Sequence, residues 1–113
     1  MVDTLNNFEL AVLDKISNEY PFLKSHIPFL QVKSRELTGV GLFVNFSYQE
    51  GSVGYQEIPG GFVALSSNAS LLVEGLKYEV AYEIAVTNRK IDFLEVVANG
   101  EDWDGTVRNF WIE

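Results

Sequence analysis

Apolar positions change their spacing once along the chain, and that change predicts the architecture. From Asp3 to Tyr20, Leu5, Phe8, Val12 and Ile16 recur at three- and four-residue intervals, with Leu10, Ala11 and Leu13 widening the stripe. This is one face of a helix. Asp3 or Thr4 is its expected N-cap, and Pro21 stops it near Glu19. Pro21 to Pro28 predicts a short second helical turn with Phe22, Leu23 and Ile27 inward.

From Leu30 the period becomes two, the signature of strands. Gln31 to Leu37 predicts one strand, followed across Thr38-Gly39 by Val40 to Gln49, whose Val40, Leu42, Val44, Phe46 and Tyr48 share a face. Gly39 is read as a hairpin turn or a bulge. Glu50 to Gly61 holds four glycines and a proline and predicts a loop, with room for a short strand at Tyr55 to Ile58. Ser70 to Glu74 and Tyr78 to Val86 follow as strands. A turn at Asn88-Arg89 leads into Ile91 to Ala98, so that Val86 faces Ile91, Ile84 faces Phe93 and Val80 faces Val97. Thr106 to Ile112 is the last strand. The expected fold is therefore α+β: an N-terminal helix and a short helical turn on a curved, mainly antiparallel sheet of five to six strands, forming a single domain over residues 1–113.

Composition narrows the functional classes. A 47% hydrophobic share in 113 residues supplies a core, and the absence of cysteine removes disulfides and thiolate metal sites. No apolar run has spanning length, and no basic, apolar leader opens the chain, so the expected location is cytoplasmic, with no membrane partner. A net charge of −8 and a pI near 4.5 argue against nucleic-acid binding, and the charge serves solubility, attraction of a basic protein partner, or both.

Catalytic chemistry finds little footing. The one histidine, His26, adjoins Ser25, but neighbouring side chains diverge on regular backbone, and a surface or capping role is expected. Gly39-Val-Gly41 lacks the third glycine and the following helix of a dinucleotide loop. Glu101, Asp102 and Asp104 cluster as calcium ligands do, without the rest of an EF-hand, and read as a turn. No catalytic, metal or cofactor residues are expected. Glu95 stands out, because it falls in the inward series Ile91, Phe93, Val97 and would face Tyr82. With Tyr48, Tyr82 and Phe93 it defines an alternative reading, a ligand pocket or small active site between helix and sheet. A third reading is a homodimer joined along Phe110-Trp111-Ile112.

Ser34-Arg-Glu-Leu-Thr-Gly-Val-Gly-Leu-Phe-Val-Asn-Phe46, Val73-Glu-Gly-Leu-Lys77, Ile91-Asp-Phe-Leu-Glu95 and Glu101-Asp-Trp103 resemble a family of small, acidic, uncharacterised bacterial proteins. The chain departs from that pattern at Val96-Val97, where a glycine is usual, and at Asp104, where proline is usual. Proteins of this size and charge are often, by analogy, immunity proteins encoded beside toxins of contact-dependent or polymorphic systems. The resemblance thus implies a monomeric or dimeric binding protein that neutralises a cognate toxin with a basic, nuclease-like surface. The expected partner surface is Glu79, Glu83 and Asp92, extended by Glu101, Asp102 and Asp104 with Trp103 as anchor. The glycine-rich loop with an exposed Tyr55 is second choice.

Overall fold

The computed structural model describes residues 2–113. One helix, α1 (Asn7–Glu19), precedes two 3₁₀ turns, Pro21–Leu23 and Ile27–Phe29, and seven strands. The strands are β1 (Leu30–Leu37), β2 (Gly41–Tyr48), β3 (Val63–Leu65), β4 (Leu71–Val73), β5 (Ala81–Thr87), β6 (Lys90–Val97) and β7 (Phe110–Ile112). Five form an antiparallel sheet in the order β1-β2-β6-β5-β3, and β4 and β7 pair separately. The fold is α+β, as expected from the periodicity.

The helix starts later than its apolar stripe suggests. Asn6, not Asp3 or Thr4, is the N-cap: its side chain accepts from the Glu9 amide, and the Glu9 carboxylate accepts from the Asn6 amide, both at 2.9 Å. This reciprocal box satisfies two donors that a helix end leaves unpaired. Asp3 instead bridges Val32, with backbone bonds of 2.8 and 2.7 Å, and so lies along β1 as extended chain.

Phe8, Val12, Leu13 and Ile16 of α1 are buried in one cluster with Leu42, Val44 and Phe46 of β2 and Ile84, Leu94 and Val96 of the β5–β6 hairpin. Arg35 lies opposite Val44 in the register and reaches Glu9 of the helix. The helix therefore covers this face of the sheet.

Two bulges reset the register. On β1, Lys33 is the extra residue between Val32 and Ser34. In the hairpin, Val86 faces Ile91 as expected, but Ala85 faces Phe93, which leaves Asp92 as the extra residue on β6. Every later pair is displaced by one residue: Ile84 faces Leu94, Tyr82 faces Val96, Glu83 faces Glu95 and Ala81 faces Val97. A one-residue shift exchanges the two faces of a strand. The inward series on β6 is consequently Ile91, Leu94 and Val96, while Phe93, Glu95 and Val97 face outward, half-buried.

Asn88 and Arg89 both take positive φ, 52° and 64°, as a tight hairpin turn requires. Gly41 shows the other use of glycine, because a Cβ there would meet the Val96 carbonyl oxygen at 2.2 Å. The 50–62 segment contains no strand at Tyr55 to Ile58; the short strand falls afterwards, at Val63–Leu65.

Candidate functional site

The face of the large sheet opposite the helix carries the most distinctive chemistry. Register alone assembles it: Glu36 faces Phe43, Phe43 faces Glu95, and Glu95 faces Glu83, a row across β1, β2, β6 and β5. The neighbouring row is Ser34, Asn45, Phe93, Ala85 and Ala64. Phe43 and Phe93 meet edge to face with ring centroids 5.5 Å apart. Glu36 and Glu95 thus flank Phe43 in one row, with Glu83 beyond Glu95, beside a half-buried aromatic pair.

Glu83 and Glu95 are adjacent across the ladder, and among the described residues neither is ion-paired. Among the described residues the ion pairs are Arg35–Asp3, Arg35–Glu9 and Arg89–Glu57, and neither Glu83 nor Glu95 donates to or accepts from a neighbour through its side chain. Glu36 accepts from Asn45 Nδ2 at 2.8 Å. Directly opposed like charges destabilise a sheet, so this surface carries a local excess of negative potential that a basic group would relieve.

The expected partner residues separate into two kinds. Glu79 and Glu83 are exposed, and Asp102 is exposed on a loop. The others serve the fold. Glu101 accepts from the amides of Lys77 and Tyr78 at 3.0–3.1 Å. Asp104 accepts from the Thr106 amide at 2.8 Å, which holds its carboxyl below the usual range. Asp92, the bulge residue, accepts from Thr87 Oγ1 at 3.1 Å. Trp103 is buried at 6% exposure, its indole N–H donating to the Thr106 carbonyl, so it anchors the 99–108 loop and offers nothing to a partner.

The alternative pocket does not assemble. Glu95 and Phe93 lie on the outer face, because the hairpin bulge moved them there. Tyr82 points inward, where its hydroxyl donates to the Ala69 carbonyl at 2.6 Å and meets Ser67. Tyr48 belongs to a different cluster with His26 and Tyr55. Near Glu95 there is a shallow depression of about 220 Å³ bounded by Ala81, Tyr82, Glu83 and Val97.

His26 is fully buried, not a surface residue, and although it stands at the N-cap of the Ile27–Phe29 turn its side chain does not cap it. Tyr55 packs on its ring at 4.6 Å and is half-buried, so it is not the exposed loop tip expected. Phe110–Ile112 pairs antiparallel with β4, placing Trp111 opposite Leu72 with both exposed.

Among the described residues no group of three or more His, Asp or Glu side chains is arranged to hold a metal ion, and no helix is long and apolar enough to cross a membrane. No protein-family model, curated protein or solved structure matches the chain. What fold and surface define is an α+β domain whose large sheet is covered by a helix on one side and presents an acidic, aromatic face on the other.

Proposed function

We propose that this is a non-enzymatic binding protein of the bacterial cytoplasm, acting as an immunity protein that neutralises a toxin by covering a basic surface. The observation carrying this reading is the outer sheet face, where Glu36, Glu95 and Glu83 line one row beside the Phe43–Phe93 pair. Its chemistry suits a partner rich in lysine and arginine. Carboxylates take the positions that phosphates would occupy in a nuclease cleft, and the aromatic pair supplies the apolar, desolvated centre that binding surfaces need. The net charge of −8 adds long-range attraction and accelerates encounter.

The outer face is built on four neighbouring strands, so docking orders little backbone. Relative to the expected surface, Glu79, Glu83 and Asp102 remain exposed, Glu36 and Glu95 join them, and Asp92, Glu101, Asp104 and Trp103 leave because the fold occupies them.

The test is capture of the tagged protein's partner from its own cells, followed by reconstitution with the purified partner at low and moderate salt. A toxin whose activity is blocked, with affinity falling as salt rises and lost in Glu83→Lys/Glu95→Lys, supports the reading. A toxin bound equally well by that double variant removes the sheet face from the proposal. A captured partner without toxic activity removes the immunity role.

A further inference from the structure

A buried histidine needs a partner for each ring nitrogen, and His26 has both. Its Nδ1 lies 2.8 Å from Tyr48 Oη and its Nε2 2.5 Å from the Gln56 carbonyl oxygen. A carbonyl oxygen can only accept, so Nε2 carries the proton and Nδ1 accepts from the Tyr48 hydroxyl. That hydroxyl in turn accepts from the Ile91 amide at 2.9 Å. Alongside, the Ser25 hydroxyl oxygen accepts from the Gln56 amide at 2.7 Å. Consecutive residues Ser25 and His26 therefore hold both the N–H and the C=O of Gln56.

Gln56 sits in the middle of the 50–62 segment, which has no helix or strand and turns at Gly51, Gly54 and Gly60 with φ of 78°, 86° and 86°. Its other anchors are Tyr55 against His26, Tyr48 and Phe29, the wholly buried Ile58, and the Glu57–Arg89 ion pair. On either side of this pinned centre, Val53 and Phe62 are 78% and 71% exposed. The glycines give both flanks the freedom to swing if the centre lets go.

The hydrogen-bond chain fits one protonation state. A second ring proton, on Nδ1, would have to point at Tyr48, whose hydroxyl hydrogen would then lose its acceptor. We infer that the Ser25–His26 clasp is an acid-released latch: a second ring proton, on Nδ1, breaks the hydrogen bond that Tyr48 donates, the charged ring leaves its buried site so that its Nε2–H no longer holds Gln56 in place, and a glycine-hinged loop bearing Val53 and Phe62 is freed. This goes beyond the binding reading and does not depend on it.

The surroundings also disfavour an imidazolium. Burial lowers the His26 pKa below the ordinary imidazole value, with the Gln56 carbonyl opposing that shift. Of the ionisable groups around it, Tyr48 on β2 and Tyr55 on the loop touch the ring. The Lys90 ammonium stands 5.3 Å over the Tyr48 ring, Arg89 is paired with Glu57, and Lys24 is turned to Asn18. Among the described residues no carboxylate hydrogen-bonds to the imidazole. Because the closed state binds the proton less well than the open one, the latch holds fully above about pH 6.5 and weakens as pH falls below it.

His26 is the sole histidine, so every histidine NMR signal reports on the latch. The experiment records ring ¹⁵N shifts and amide exchange from pH 7.5 to 5, the latter corrected for intrinsic rates. The expected result is an Nε2–H ring at pH 7.5, with opening of residues 55–58 rising about tenfold per pH unit below the ordinary imidazole range while β2 and β6 stay protected. In Tyr48→Phe, which keeps the ring and removes the hydroxyl, the midpoint moves to higher pH. An Nδ1–H ring, loop opening that does not change with pH, opening of loop and strands together, or an unmoved midpoint in Tyr48→Phe would each overturn the latch.

Discussion

Two glutamates on opposite faces of one sheet meet opposite fates. Glu9, on the helix side, is completely buried and held at both oxygens: Arg35 Nε and Nη2 donate to them at 2.7 and 2.9 Å, and the Asn6 amide adds a third hydrogen bond at 2.9 Å. Glu95, on the outer side, faces another carboxylate and binds nothing among the described residues. The buried charge is tolerated only because its partners surround it, whereas the outer one relies on solvent. Negative charge is thus committed on one face and available on the other, and only the available kind can serve a partner.

The largest effect expected from this contrast is on the inner side. Arg35→Ala strands a buried carboxylate and releases Asp3 and the Thr4 carbonyl, so it should cost about 3–5 kcal/mol, read as a lower urea midpoint. A cost below about 1 kcal/mol would show that water reaches Glu9, and the contrast would fail. Glu101→Ala comes next. It removes the acceptor for the Lys77 and Tyr78 amides and should cost about 1–2 kcal/mol, placing Glu101 with the committed carboxylates despite its position on the rim.

The smallest effect has the reverse sign. Glu83→Gln or Glu95→Gln should raise stability by a few tenths to about 1 kcal/mol by relieving the opposed charges, and the gain should shrink in high salt. Because one substitution already ends the repulsion, the double variant should gain less than the sum of the two singles. Stability falling in both single variants would mean that these side chains are partnered after all. Loss of affinity for a captured partner with gain in stability is the signature that separates a binding surface from a structural one.

Long-range periodicity was legible in the residues, while single-residue irregularities were not. The three- and four-residue spacing of Phe8, Val12 and Ile16 and the alternation through Leu42, Val44 and Phe46 predicted α1 and β2, and both stripes are buried. On β6, however, Ile91-Asp-Phe-Leu-Glu-Val-Val supports two alternations equally well, since Phe93 and Leu94 are both apolar. Packing selects Leu94 and Val96, and the bulge at Asp92 absorbs the difference, which carried Glu95 from the expected pocket to the outer face. The capping box was readable in Asn6 and Glu9 as an Asn followed three residues later by Glu, but the apolar Leu5 drew the helix start upstream. The roles of Trp103 and His26 depend on partners far along the chain, Gly39 in one case and Tyr48 and Gln56 in the other, and no local pattern announces them. The acidic face is half visible in the sequence: Glu83 belongs to the expected surface, while Glu36 and Phe43 enter only through the strand order.

The two tryptophans occupy unlike surroundings, Trp103 at 6% exposure and Trp111 at 55%. Their emission should therefore be separable: a shielded, blue-shifted component from Trp103 and a quencher-accessible one from Trp111. Trp111→Phe would leave one optical probe, sealed beneath the loop that Asp104 and Gly105 turn, and its quenching rate would time how often that loop lifts from the Gly39 corner.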